Sequence, residues 1–336
     1  MPVKDGIVMP RDQYMHVGAP SEWWWHIGTL TAPGGRTFGF EINAATQSPG
    51  GQLMSFSQIM LTDIVDQVHF QATTQFPYDP AWAESDSTKP WYARLGTAGE
   101  SGSIAMTAPA ANPCDMTVDA SFIDAATGVS IAFALTLSQD SVKVPPLLVW
   151  GDGVYQSVAS SPDPLQTSNF YYSLTKLQAS GTITIGEESF EVQGTTWMDH
   201  EYGMFGVKTK WILQDAQLDN GIDLSNSCVG QQPVAGQPMV SIVTVRWPEG
   251  NSTSHYSELI PSGPTWTSPD GQTYCLTMAV TIPDLKTELT FVSAFPDQEF
   301  PVAGNPVYEG IATVTGNFMG DAVQGPGWIE QALLPR

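Results

Sequence analysis

The sequence predicts an all-β protein, and three observations carry that expectation. Short runs rich in β-branched and aromatic residues recur along the whole chain, nearly all of them are bounded by Gly, Pro, Asn or Asp, and no segment sustains a 3.6-residue apolar period over helical length. A chain of 336 residues suits two domains of about 150 to 170 residues. Roughly eight to ten runs fall on either side of residue 165, so the expected domains are residues 1–165 and 166–336. Meanders of about eight strands close into barrels with room for one small ligand. Two antiparallel β-barrels packed side by side are therefore the favoured architecture, with a pair of β-sandwiches as the competitor.

Taken in order, the chain opens with an arm of turn formers to about Ser21 that contains His16. The runs Glu22–Leu30 and Thr37–Asn43, joined by Pro33-Gly34-Gly35, read as a hairpin. Further strands are expected at Leu53–Leu61, Gln67–Thr74, Ser103–Thr107, Met116–Phe122 and Val129–Leu137. The segment Val144–Pro164 is the densest in Pro, Gly and Ser and reads as a crossing between domains or a loop over a pocket mouth. Strands resume at Asn169–Leu174, Gly181–Ile185 and Ser189–Gly203. Lys210–Gln214 and Leu218–Leu224, the latter holding Asn220-Gly221, read as a second hairpin. Met239–Trp247, His255–Ile260, Thr273–Ile282, Thr287–Ala294, Val307–Gly316 and Gly325–Glu330 complete the pattern.

Composition narrows the function. The net charge is −22, from 12 basic and 34 acidic residues. Phosphate backbones and anionic lipid surfaces are repelled by such a chain, so neither nucleic acid nor a peripheral membrane surface is an expected partner. No run of apolar residues is long enough to span a bilayer, and membrane insertion is not expected. The N-terminus lacks the apolar core of a secretory signal, which fits a cytoplasmic protein or a secreted one whose leader is absent. The three cysteines, Cys114, Cys228 and Cys275, have no metal-ligand spacing, and a Cys228–Cys275 bridge requires an oxidising compartment. Asn251-Ser252-Thr253 is a glycosylation sequon with meaning only on a secretory route.

The stretch Trp197-Met198-Asp199-His200-Glu201-Tyr202-Gly203 sets three titratable side chains side by side among aromatics. On a strand, Trp197, Asp199 and Glu201 share one face and Met198, His200 and Tyr202 the other. An apolar wall raises a carboxyl pKa and makes the group a usable acid near neutral pH. The same alternation places Glu22, Trp24 and His26 on one face of the first strand, an imidazole and a carboxyl flanking an indole. The structural alternatives are a solvated strand end for the first stretch and core packing for the three successive tryptophans. No glycine-rich phosphate loop, Gly-x-Ser-x-Gly elbow, His-x-His or His-x-x-x-His pair occurs. No cofactor and no metal are expected, although His26, His200 and Glu201 form a conceivable ligand set. What remains is a greasy pocket for a small hydrophobic molecule, with proton transfer as its chemistry.

Several of these motifs resemble, in order, those of the AttH and carotenoid 1,2-hydratase family. They are Glu22-Trp23-Trp24-Trp25-His26-Ile27-Gly28-Thr29-Leu30 with Phe38-Gly39-Phe40, Phe170-Tyr171-Tyr172-Ser173, Gly194 to Gly203, and Tyr308-Glu309-Gly310 with Gly327-Trp328-Ile329-Glu330. The resemblance implies two lipocalin-like β-barrels. It also implies hydration of isoprenoid double bonds or of prenylated phenolics such as kievitone, with pericyclases as more distant relatives, all without a cofactor. Under that reading Asp199 is the proton donor and His200 or Glu201 positions water, with Glu22 and His26 as further catalytic candidates. Trp24, Tyr172, Trp197 and Trp211 line the pocket. A departure is the triple Trp23-Trp24-Trp25, where relatives often show Trp-Trp-Tyr. The expectation is thus a hydratase or dehydratase of a hydrophobic natural product, acting as monomer or homodimer. A pericyclase and a non-catalytic carrier are the alternatives.

Overall fold

The computed structural model describes residues 6–48, 51–140, 143–156, 161–205, 210–302 and 305–333. These residues form strands joined by turns and a few short 3-10 turns, and no helix is long and apolar enough to cross a membrane. The first sheet contains β1 (Ser21–Thr31), β2 (Thr37–Gln47), β3 (Met54–Asp63), β4 (Val68–Pro77), β5 (Trp91–Leu95), β6 (Ser103–Ala108), β7 (Asp115–Ile123), β8 (Ser130–Ser138), β9 (Leu147–Leu148), β10 (Val154–Gln156), β11 (Ser168–Ile185) and β12 (Glu188–Gly203). The second contains β13 (Trp211–Gln217), β14 (Asp223–Val229), β15 (Met239–Arg246), β16 (Ser252–Thr267), β17 (Thr273–Ile282), β18 (Thr287–Ser293), β19 (Glu299–Val302), β20 (Asn305–Phe318) and β21 (Asp321–Ala332).

In the first sheet the order is β4-β3-β2-β1-β12-β11-β8-β7-β6-β5, a nearly closed barrel whose seam lies between β4 and β5. In the second, β18-β17-β16-β15-β14-β13-β21-β20 closes on itself through the β18–β20 pairing, giving eight strands, with β19 added beside β20. Two antiparallel barrel-like sheets are thus what the strand pattern announced. The short strands β5, β9, β10 and β19 carry no run of their own in the sequence reading.

The domain boundary differs from the expected one. The chain divides into a first unit of Met1–Val65, Phe70–Leu148 and Asp152–Val207, and a second of Asp66–His69, Val149–Gly151 and Lys208–Arg336. The boundary moves from 165 to about 207 because β12 pairs with β1 and β11 with β8, so the first barrel needs both strands. The Pro- and Gly-rich segment 144–164 does pass from one unit to the other, at Val149–Gly151, but the chain returns to the first unit at Asp152. Its strands β9 and β10 lie against β11, and its residues 157–160 are outside the described ones.

Burial follows from residue type. On β7 and β8 apolar and polar residues alternate, and buried and exposed positions alternate with them. By contrast β1, β2, β3, the first half of β11 and the second half of β12 are buried on both faces. One of those faces lines the barrel: Trp24, Phe38, Phe40, Ile42 and Ile59 are fully buried, and Phe40 meets Phe133 across the interior at 6.2 Å. Each such side chain contributes roughly 1.5–3 kcal/mol on burial.

Cys228 and Cys275 are free, buried thiols, so the conceivable bridge is not formed. They stand on β14 and β17 with β15 and β16 between them, which sets them roughly 14 Å apart along the sheet at about 4.8 Å per strand. That exceeds the reach of a disulfide.

The two sheets repeat one device that the sequence reading did not detect. On β11 Gly181 has φ +148°, and a Cβ there would lie 2.1 Å from Ala134 O and 2.9 Å from Leu135 Cα. On β20 Gly316 has φ +157°, and its Cβ would lie 2.1 Å from Glu288 O and 2.9 Å from Leu289 Cα. The same correspondence extends to Gly194, Trp197, Asp199 and His200 on β12 against Gly325, Trp328, Glu330 and Gln331 on β21. Tyr172 faces His200 as Tyr308 faces Gln331. At both glycines the neighbouring strand comes too close for any side chain. Gly181→Ala and Gly316→Ala should each destabilise by about 2 kcal/mol or more, read as lowered denaturation midpoints, and the double variant should show both losses.

Candidate functional site

Strand β12 carries the nominated titratable residues, and its pairing decides which of them can act together. Asp199 stands opposite Trp25 of β1 and Ser173 of β11, while His200 stands opposite Trp24 and Tyr172. Side chains alternate along a strand, so Asp199, Glu201 and Trp197 share one face with Trp23 and Trp25. His200 shares the barrel-lining face with Glu22, Trp24, His26 and Tyr172. None of the three central residues reaches bulk solvent: Asp199 is 4% exposed, His200 0% and Glu201 8%.

On the first of these faces, Ser173 Oγ donates to Asp199 Oδ1 at 2.5 Å and Trp197 Nε1 donates to the same oxygen at 2.7 Å. The Tyr171 phenol adds a further hydrogen bond. Burial pushes the Asp199 carboxyl up to about 6, against the lowering effect of these three donors. Glu201 accepts from Asn169 Nδ2 at 2.6 Å. Burial and the charge of neighbouring Asp199 push it up to about 8, opposed by that single hydrogen bond. Of the two, Glu201 is the more strongly raised, and Asp199 is the better hydrogen-bonded carboxylate. Around it, the buried indole N–H groups of Trp23 and Trp25 and the Asn169 side-chain oxygen have no hydrogen-bond partner among the described residues.

The barrel-lining face holds a hydrogen-bonded chain. His200 Nε2 lies 3.1 Å from Glu22 Oε1 and His200 Nδ1 lies 3.0 Å from Tyr172 Oη. The N-terminal arm enters this network. His16 Nδ1 lies 2.8 Å from Glu22 Oε1, and the His16 backbone N–H donates to Glu22 Oε2 at 2.9 Å. Tyr172 Oη donates to Gln13 Oε1 at 2.5 Å, and Trp24 Nε1 to Gln13 O at 3.2 Å. Burial lowers His16, yet the Glu22 carboxylate and the Asp12 hydrogen bond raise it to about 9. Glu22, despite its burial, is held below its usual value by His16 and His200. His200 is lowered, chiefly by burial. Trp24 stacks on His200 at 4.6 Å and packs against Trp82 and Trp91, so the arm and these indoles fill this part of the barrel.

His26 also points into the barrel, but neither ring nitrogen has a hydrogen-bond partner among the described residues, and burial holds it down at about 3. Trp211 is on β13 of the second unit, where its Nε1 donates to Glu330 Oε2 at 3.1 Å. The nine nominated residues thus separate into an acid–indole face with Asp199, Glu201 and Trp197, an interior network with Glu22, Trp24, Tyr172 and His200, a solitary His26, and Trp211 in the second unit. The conceivable ligand set of His26, His200 and Glu201 does not converge, because His200 and Glu201 leave opposite faces of one strand. Asp12, Gln13, His16, Asn169, Tyr171 and Ser173 were not nominated from sequence. Only the i, i+2 spacing of Asp199 and Glu201, and knowledge that β11 pairs in register with β12, would have pointed to the last three. A groove of about 760 Å³ on the first unit is lined by Thr31, Thr117, Asp119, Thr136, Ser180 and Glu191 among others, and none of the nominated residues borders it.

These environments give the protein opposed pH sensitivities. Glu201 rises from 4.5 to about 8 on folding, so its contribution to stability is present below pH 4.5 and is lost as pH rises through 8. Asp199, raised from 3.8 to about 6, acts in the same direction. His26 falls from 6.5 to about 3, so its contribution is present above pH 6.5 and is lost as pH falls through 3. Glu201→Gln should flatten the decline of the melting temperature on the alkaline side, and His26→Leu should remove part of the decline on the acid side. Melting curves collected across pH check both.

The comparisons with known proteins agree with this architecture. A solved AttH protein from Nitrosomonas europaea superposes with a TM-score of 0.77 at 20% identity, covering 100% of this chain and 99% of the other. Kievitone hydratase from Nectria haematococca superposes with a TM-score of 0.73 at 16% identity, covering 97% and 93%. The complex of CghA with Sch210972 gives a TM-score of 0.53 at 12% identity, covering 94% and 89%. No curated protein sequence matches the chain. The family model described as AttH-like matches residues 2–332, and with two barrel-like sheets and the motifs of β1, β11, β12 and β21 in place, the chain belongs to the AttH-like family.

Proposed function

We propose that the protein is a cofactor-independent acid–base enzyme that hydrates or dehydrates a hydrophobic natural product, an isoprenoid or a prenylated aromatic. The observation that carries this reading is the buried Asp199–Glu201 pair among Trp23, Trp25 and Trp197, with one carboxyl still protonated near neutral pH. Kievitone hydratase, similar in fold, supports the choice of reaction class.

Hydration of an alkene needs an acid to deliver a proton to carbon and a base to take one from the attacking water. From the family resemblance alone the acid role falls to Asp199. The three donors around Asp199, against one on Glu201, support the reverse assignment: Glu201 carries the proton and Asp199, as carboxylate, orients and deprotonates water. Indole faces stabilise the tertiary cation that forms between the two steps, as they do other cations. His200 leaves the opposite face of the strand and is assigned no part in this chemistry.

Incubation with kievitone and with a linear isoprenoid alkene in heavy-oxygen water tests the proposal. Incorporation of the label into product is expected, with a bell-shaped pH profile whose limbs follow Asp199 and Glu201. Asp199→Asn and Glu201→Gln should each lower turnover by roughly 10²–10⁴-fold while the fold is retained. Ligand recovered unaltered would leave a carrier. A cyclase reading is favoured by one feature, the unpartnered indole N–H groups of Trp23 and Trp25, which suit a ligand carbonyl. Under that reading Glu201→Gln is mild, Trp25→Phe severe, and the product carries no label.

A further inference from the structure

The network inside the first barrel has a geometry that acid–base chemistry on the other face does not use. One ligand atom each of His16, Glu22 and His200 lies within 4.8 Å of the other two. The two imidazole nitrogens approach the same carboxylate oxygen at 2.8 and 3.1 Å. In a tetrahedral zinc site with ligands at about 2.0–2.1 Å, neighbouring donor atoms are roughly 3.3 Å apart. The two pairs that share Glu22 Oε1 need adjustments of only a few tenths of an ångström, and the two imidazoles, within 4.8 Å of each other, a closing of the gap between them, to admit an ion where the three groups converge.

The surroundings of the two rings match what a metal requires of its outer shell. A ligating histidine is oriented by a hydrogen bond from its other ring nitrogen, most often to a carboxylate or another oxygen. His16 Nε2 lies 3.5 Å from Asp12 Oδ1, and His200 Nδ1 lies 3.0 Å from Tyr172 Oη. Tyr172 in turn donates to Gln13 Oε1, which leaves its oxygen able to accept from His200 Nδ1. With Nδ1 donating to Tyr172, Nε2 can bind a cation, which takes the place of the proton His200 otherwise shares with Glu22 Oε1. The rings are further held by stacking, Tyr202 on His16 at 3.5 Å and Trp24 on His200 at 4.6 Å. His16 is the partly exposed member of the set.

We propose that His16, Glu22 and His200 form a binding site for a divalent ion of the zinc class. The ion ties the N-terminal arm to β1 and β12 and closes that end of the first barrel. Two histidines and one glutamate are a familiar zinc donor set. The ligands come from three places in the chain, so binding strengthens the docking of an arm otherwise held by the hydrogen bonds of Tyr172 to Asp12 O, Trp24 to Gln13 O and Tyr14 to Lys89 O.

The test uses the full chain, freed of metal by chelation and titrated with Zn²⁺, and in parallel with Co²⁺ as a spectroscopic probe. One ion per chain is expected, with a raised melting temperature and the visible absorption of tetrahedral Co²⁺. His16→Ala should abolish binding, and Tyr172→Phe should weaken it by roughly 10–100-fold. His255→Ala, on β16 in the second unit, should change nothing. Absence of one-to-one binding, or binding unaffected by His16→Ala, overturns the proposal. If His16→Ala does not fold, the Co²⁺ spectrum of the unaltered protein decides, since octahedral or absent absorption also overturns it. Because Asp199 and Glu201 lie on the other face, failure here leaves the acid–base reading untouched, and failure of that reading leaves the metal site untouched.

Discussion

The second half of β12 is buried on both faces, and the rest of the site depends on that constraint. A strand with one wet face could hold carboxylates there at no cost. With both faces dry, each titratable side chain must find hydrogen-bond donors, a counter-charge or a proton. Asp199 finds donors, Glu201 keeps a proton, and His200 enters a chain that ends at Glu22 and the N-terminal arm. Strand alternation does the sorting, placing two acids with indoles on one side and imidazoles with a carboxylate on the other.

That sorting explains why much of the site was legible in the sequence and why the remainder was not. The period-two reading of Trp197–Gly203 and of Glu22–His26 placed every side chain on the face it occupies. Register could not be read. Trp24, His200 and Tyr172 form one row across three strands only because β1 and β11 flank β12 in the sheet, a pairing between residues about 28 and 176 apart in sequence. The contributions of the arm were equally hidden. Asp12, Gln13 and His16 sit in a segment of turn formers with no periodic pattern, and only the tertiary structure brings them to Glu22.

The fold itself shows the same division. Strands with strict alternation, such as β7 and β8, and the turn at Asn220-Gly221 were plain from residue type. Pro and Gly at 144–164 mark a crossing from which the chain returns, so the lasting boundary falls near 207 and not at 165. The denser signal, the pairing partners that β11 and β12 supply to β8 and β1, is long-range and leaves no local trace. Short strands such as β9 and β10 have too few residues to show a period, and exist because β11 offers them an edge.

The matching glycines and tyrosines of the two sheets also bear on how the protein can change. Gly181 and Gly316, Gly194 and Gly325, and Tyr172 and Tyr308 shape two barrels alike, yet His200 is answered by Gln331, whose amide bonds the Cys275 backbone instead. The shared frame is therefore written by glycines and tyrosines common to both sheets, and the interior network of the first by residues, His200 among them, that the second does not repeat. The two frames can be compared one residue at a time, the second showing how the shared glycines and tyrosines pack when Gln331 stands where His200 does.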